Sequence, residues 1–140
     1  MKIKAENPGF IMPHRALASG GYDIFMPEDG EYIPGNKGVG HLQPLGFSAA
    51  VPEGHIAVLL PRSGEGVKRL TELGNTCGII DSDYRGEWKA AIRTKDGTPI
   101  SWSAGDRLLQ FIIHKIETPD LILVNELDDT ERGKGGFGHT

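Results

Sequence analysis

Glycine and proline interrupt this chain so often that no apolar stripe of helical period persists over three turns. They supply 20 and 9 of its 140 residues, about one in five where roughly 12% is usual. They fall as punctuation, in turn signals such as Pro27-Glu-Asp-Gly30, Pro34-Gly-Asn36, Pro52-Glu-Gly54 and Lys95-Asp-Gly97. Strand-like runs lie between the signals: Tyr22–Phe25, Gly46–Val51, His55–Leu60, Glu87–Thr94, Arg107–Ile116 and Leu121–Glu126. In one of them Trp88, Ala90 and Ile92 alternate with Lys89, Ala91 and Arg93, the pattern of a half-buried strand. The one helix candidate is Gly66–Leu73, where Val67, Leu70 and Leu73 would share a face. Short strands joined by tight turns predict an all-β sandwich, jelly roll or barrel with one short helix.

The bulk numbers exclude more than they assign. A chain of 140 residues fits one domain. A net charge of −4, with no clustered Lys/Arg stripe, gives no footprint for nucleic acid, so an anionic ligand would need a local pocket. Cys77 is the single cysteine, which rules out an internal disulfide and a multi-cysteine metal site and points to a reducing compartment. No apolar run reaches the length of a membrane span, and Met1–Asn7 lacks the pattern of a signal peptide. A soluble cytoplasmic protein that binds neither membrane nor nucleic acid is expected.

Five segments carry chemistry. Gly20-Gly-Tyr-Asp-Ile24 places Asp23 at the start of a strand, as a turn carboxylate or as part of a site. Pro61-Arg-Ser-Gly64 ends an apolar run and gathers a guanidinium, a hydroxyl and free backbone N–H groups before the helix candidate, a construction that binds phosphate. It is not a Walker A loop. Gly74–Gly86 holds Asp81 and Asp83 with Tyr84 beside them; in extended chain two acids at i, i+2 point the same way, so one could act as a base while the other orients it or attracts a metal. Gln110 lies inside the otherwise apolar run after Gly105-Asp-Arg107, where an amide ties down the core or faces a site. Asp128–Thr140 has almost nothing to bury. It is either a frayed terminus or an arm in which glycine amides and Arg132 meet an anion while Phe137 offers a flat face to a base.

In this order and spacing the five segments resemble the five motifs of the trimeric dUTPase family, and the resemblance runs from about Gly20 to Thr140. The lead-in Leu73-Gly-Asn75 and the closing Gly138-His-Thr140 resemble its bacterial and phage branch. The resemblance implies a distorted jelly roll over residues 1–127, a flexible C-terminal arm over 128–140, and a homotrimer whose active sites are shared between subunits. It implies a dUTP diphosphatase that hydrolyses dUTP to dUMP and pyrophosphate with Mg²⁺, keeping uracil out of DNA and supplying dUMP for thymidylate synthesis.

Residue by residue, Asp81 would be the general base that activates water for attack on the α-phosphorus. Asn75, Ile79 and Ile80 would lie in the hairpin that grips uracil, Tyr84 would pack on the deoxyribose, and Lys89 would make a contact nearby. Arg62, Ser63 and Gly64 would bind the α- and β-phosphates, with Gln110 reaching in from a neighbouring strand. Arg132, Gly135, Gly136, Phe137 and Gly138 would close over base and γ-phosphate. Mg²⁺ would be chelated by the phosphates with no direct protein ligand, and Asp23 would act on it through water.

The chain departs from the family pattern in three places. Glu65 replaces an apolar residue, Gly35–His41 matches no motif, and the chain stops at Thr140, so contacts at the γ-phosphate end are expected to differ. Two rival readings frame the prediction. The related dCTP deaminases carry a catalytic glutamate at the position of Ala91, which leaves deamination without its acid–base group. A non-enzymatic binding protein on the same fold could dispense with Asp81, Tyr84 or Phe137, and all three are present.

Overall fold

The computed structural model describes residues 1–35 and 41–136. Over these the chain forms eleven short strands and one helix: β1 (Lys2–Ala5), β2 (Tyr22–Ile24), β3 (Gly30–Tyr32), β4 (His41–Pro44), β5 (Phe47–Ala50), β6 (His55–Pro61), α1 (Ser63–Lys68), β7 (Thr71–Leu73), β8 (Gly78–Ile80), β9 (Lys89–Thr94), β10 (Ile100–Trp102) and β11 (Leu109–Lys115). All pairings are antiparallel, in four sheets ordered β1-β5, β10-β3, β2-β11-β6-β8 and β4-β9-β7. This is the expected all-β architecture, a distorted jelly roll with one short helix.

The longest pairing, β6 with β11, runs in register from Leu109↔Pro61 to Lys115↔His55 and forms the spine of the four-stranded sheet. Both strands read as apolar runs because Ala57, Leu59, Leu109 and Phe111 point into the core while their neighbours are also partly covered. An aromatic chain joins the sheets: Trp88 is fully buried, 5.0 Å from Phe47 and edge-on to Phe111 at 5.2 Å, and Tyr22 stacks on Phe111 at 5.0 Å. In β9 Ala90, Ile92 and Thr94 are buried and the alternate residues are not, as the sequence pattern predicts. The turns at Pro52–Gly54 and Lys95–Gly97 also form, each with its glycine at positive φ.

Three expectations are corrected. The helix occupies Ser63–Lys68 and not Gly66–Leu73. Leu70 adopts φ +53°, which ends the helix, and Leu73 belongs to a strand paired with Ile92. Leu121–Glu126 forms no strand; its side chains are exposed, Leu123 completely, and no described strand pairs with it to supply ladder partners. Asp81 and Asp83 do not lie in one extended run. Ser82 and Asp83 form a turn closed by the Tyr84 N–H on the Asp81 carbonyl at 3.3 Å.

Candidate active site

The Asp23 carboxylate holds two arginines. One oxygen accepts from Arg62 Nε at 2.9 Å and the other from Arg107 Nη1 at 3.2 Å, with the carboxylate only 19% exposed. The sheet order explains the meeting. β11 lies between β2 and β6, so Asp23 pairs with Gln110, and Gln110 pairs with Leu60, two residues before Arg62. Arg62 is fixed further by donating to the Arg107 carbonyl at 3.2 Å, while its own N–H reaches the Leu108 carbonyl at 2.9 Å.

Gln110 is half-buried, and its Nε2 donates to the Pro61 carbonyl at 3.1 Å. Its Oε1 lies over Gly21, 2.8 Å from where a Cβ would stand, so glycine there makes room for the amide. Ser63 and Gly64 open α1 beside this cluster and are exposed. Beneath them is a polar cleft of about 380 Å³ lined by Arg62, Glu65, Arg69 and the Gly105–Leu108 turn. Arg107 is the functional candidate that sequence reasoning missed. Its signal is an arginine just ahead of an apolar strand that carries a half-buried amide.

A second group of predicted residues sits on the β7–β8 hairpin and the turn beyond it. Asn75 and Thr76 form its exposed tip, and Thr76 is held at φ +69° while its N–H bonds the Leu73 carbonyl at 2.9 Å. A β-branched residue in the left-handed region is strained, and strain of this kind collects where a backbone shape serves a site. Ile79 is half exposed and Ile80 packs against the core. Asp81 is exposed at the end of β8. The Tyr84 ring lies across Gly86, 2.6 Å from Cζ to where a Cβ would stand, and its hydroxyl donates to the Glu87 carbonyl at 3.1 Å. Lys89 is exposed at the start of β9.

The two groups do not meet within one chain. Ile80 pairs with Ala57, so Asp81 falls level with the start of β6, whereas Arg62 and Ser63 follow its end. The six residue steps from Ile56 to Arg62 put the two groups roughly 20 Å apart along the sheet. In the tail, Arg132 Nε donates to the Gly135 carbonyl at 2.8 Å, and Gly135 and Gly136 complete the described arm. Phe137 and Gly138, also predicted for the site, lie outside the described residues.

A family model for dUTPase matches residues 9–140. The chain belongs to the dUTPase family. Among curated dUTPases, the deoxyuridine 5'-triphosphate nucleotidohydrolase of Syntrophotalea carbinolica is 38% identical over 137 residues, spanning 98% of this chain and 90% of that protein. The Arabidopsis thaliana protein of the same name is 39% identical over 140 residues, spanning 99% and 81%. Among solved dUTPases, that of Staphylococcus bacteriophage 80alpha, determined with dUPNHPP, superposes with a TM-score of 0.85 at 26% identity and covers 99% of this chain and 96% of that one. In this dUTPase, Glu65 forms an i,i+4 ion pair with Arg69 at 3.2 Å.

Proposed function

We propose that this chain is a dUTP diphosphatase, which cleaves dUTP to dUMP and pyrophosphate in sites shared between three subunits. The observation that carries the reading is the retention of both half-sites on a dUTPase frame: the Arg62–Asp23–Arg107 cluster with Ser63 and Gly64, and the hairpin with Asn75, Ile79, Ile80, Asp81 and Tyr84.

In this reading the Asp81 carboxylate takes a proton from water, whose oxygen forms a bond to the α-phosphorus as the bond to the β-phosphate oxygen breaks. Arg62 and the Ser63 hydroxyl face the phosphates and stabilise charge growing on the leaving pyrophosphate. The strained hairpin tip presents backbone groups to the pairing edge of uracil, and Tyr84 offers its ring to the deoxyribose. Lys89 lies on the next strand, within the same half-site. Gln110 holds the Pro61 carbonyl and thereby the start of the phosphate segment.

Mg²⁺ fits this arrangement as an ion carried by the phosphates. Among the described residues no three His, Cys, Asp or Glu side chains gather to hold a metal, and Asp23 already spends both oxygens on arginines. A small cation that keeps several waters suits a carboxylate placed to meet it through water. The ion would supply charge neutralisation at the triphosphate.

The separation of the half-sites supports a trimer, because Asp81 needs a phosphate segment from another copy. So does the row of exposed apolar residues Leu121, Ile122, Leu123 and Leu127, which a lone chain leaves in water. The Gly-rich arm with Arg132 and Phe137 is proposed to close over the site of a neighbouring copy, which shields the site from bulk solvent and leaves only the attacking water. A deaminase reading lacks its glutamate, since Ala91 is an alternate residue of β9. A cytoplasmic setting fits the lone cysteine, and no helix of the described chain is long and apolar enough to cross a membrane.

The test is product analysis with Mg²⁺ and equal dUTP, dTTP, dCTP and UTP, beside Asp81→Asn. The expected result is dUMP and pyrophosphate from dUTP alone, lost in the variant. Inert dUTP, or equal turnover of all four, would overturn the reading.

A further inference from the structure

The helix that presents Ser63 and Gly64 has little reason to hold its shape. It is six residues long, contains Gly64 and Gly66, buries none of its side chains, and its N-cap makes no side-chain hydrogen bond. Helices this short are marginal even with good helix formers, and glycine weakens them further. Apolar packing therefore does not fix where Ser63 sits.

Polar contacts at its two ends take that role. Arg62 anchors the N-terminal end on Asp23 and on the Arg107 carbonyl. The C-terminal end is anchored by Arg69, whose two terminal nitrogens divide their work. Nη1 donates to Glu65 within the helix at 3.2 Å, and Nη2 donates to the Ser101 carbonyl on β10. Arg69 is one-third exposed and the Glu65 carboxylate 20% exposed, so the pair is partly shielded from water. A planar guanidinium can hold two acceptors in fixed directions at once, which an ammonium cannot. Arg69 also closes the last helical turn, its N–H bonding the Glu65 carbonyl at 3.0 Å, where positive charge complements the helix dipole.

We infer that Glu65 and Arg69 are positioning residues, a polar clamp that ties α1 to β10 and so holds the phosphate-binding end of the helix in register with Arg62. The clamp replaces the apolar residue expected at position 65. It rests on the proposed reading of Ser63 and Gly64, and it acts on the phosphates through them without touching substrate. A loosened clamp lets α1 shift, and displacements near 1 Å in a phosphate site are enough to cost up to about a hundredfold in rate.

The experiment compares the full chain with Arg69→Ala, Arg69→Lys, Glu65→Leu and the Glu65→Leu/Arg69→Ala pair. Three quantities are measured: kcat and KM for dUTP, calorimetric affinity for inorganic pyrophosphate, and calorimetric affinity for deoxyuridine. Arg69→Ala is expected to lower kcat about tenfold and to weaken pyrophosphate binding severalfold, with deoxyuridine binding unchanged. Arg69→Lys should fall between wild type and alanine, and remains the readable variant if alanine does not fold. The double variant should lose no more than Arg69→Ala alone, because Arg69→Ala already breaks the contact that Glu65→Leu removes. Wild-type kcat and pyrophosphate affinity in a folded Arg69 variant would overturn the clamp, as would equal losses for pyrophosphate and deoxyuridine. A wild-type protein that leaves dUTP intact would instead overturn the proposed activity, and the pyrophosphate comparison would still decide the clamp.

Discussion

Asp23 lies on β2 and Arg62 directly after β6, strands that are not neighbours, yet Oδ1 and Nε meet at 2.9 Å because only β11 lies between them and the long Arg62 side chain reaches past Gln110. The same carboxylate holds Arg107, so one anion organises two guanidiniums that would otherwise repel. Asp23→Asn keeps the shape and removes the charge. It is expected to cost about 2 kcal/mol of stability, since two partly buried cations lose their partner. Turnover of dUTP should fall at least tenfold. Urea denaturation and steady-state kinetics check the two effects separately.

Backbone strain gives a second stability prediction. Leu70 is held at φ +53°, a conformation that costs a side-chain-bearing residue about 1 kcal/mol and glycine almost nothing. Leu70 is 38% exposed, so removing its side chain also gives up the packing of its covered part, equally in Leu70→Gly and Leu70→Ala. Only glycine also releases the strain, so Leu70→Gly should be more stable than Leu70→Ala by about 0.5–1 kcal/mol. Denaturation midpoints at one protein concentration decide between them.

The same strained residue shows where the sequence stopped being legible. The spacing of Val67, Leu70 and Leu73 is helical, but a left-handed Leu70 divides it, and Leu73 is claimed by pairing with Ile92. Long buried strands such as β6 and β11 were readable as apolar runs because both faces are covered. Strands of three or four residues, such as β3, β7, β8 and β10, are too short for alternation to show. Leu121–Glu126 has strand composition, but a strand also needs an edge, and composition says nothing of who supplies it. The proposed site residues stand in motifs whose chemistry is local. Arg107 was not singled out, because its role depends on a carboxylate 84 residues away.

Selectivity for the sugar should depend on Gly86. A methyl group there would stand 2.6 Å from Tyr84 Cζ, inside contact distance, so the ring must move. Gly86→Ala is expected to lower kcat/KM for dUTP about tenfold while leaving UTP nearly unchanged, because only the deoxyribose fit relies on the ring's placement. Parallel assays of the two nucleotides read this directly. An equal loss for both would remove Tyr84 from sugar discrimination.

Acid stability follows from two surface carboxyls. Glu6 is held below its ordinary value chiefly by the hydrogen bond from Ser48 Oγ at 2.7 Å, then by that from Lys4 Nζ at 3.0 Å. Asp96 is held low by the Thr98 N–H and hydroxyl. A carboxyl whose folded value lies below its unfolded one stabilises the fold above the unfolded value and loses that contribution as pH falls through the folded one. Wild type should therefore weaken as pH drops below about 4.5, and Glu6→Gln with Asp96→Asn should flatten that limb while lowering stability at neutral pH. Urea midpoints between pH 3 and 7 test the sign.

The distance between Asp81 and Ser63 along β6 makes complementation the sharpest test of shared sites. On the proposed mechanism Asp81→Asn lacks the base and Ser63→Ala lacks the hydroxyl at the leaving group, so each alone should be nearly inactive. In a trimer whose sites join the hairpin of one copy to the phosphate segment of the next, random mixing leaves about a quarter of sites with both residues intact. Co-refolding the two variants in equal amounts should then restore about a quarter of wild-type activity, and sedimentation should give a trimer mass. A site built within one chain would gain nothing on mixing, because every copy carries one of the two defects. Activity that stays at the level of the separate variants would therefore show that a single chain brings Asp81 to its own phosphate segment, against the register of β6 and β8.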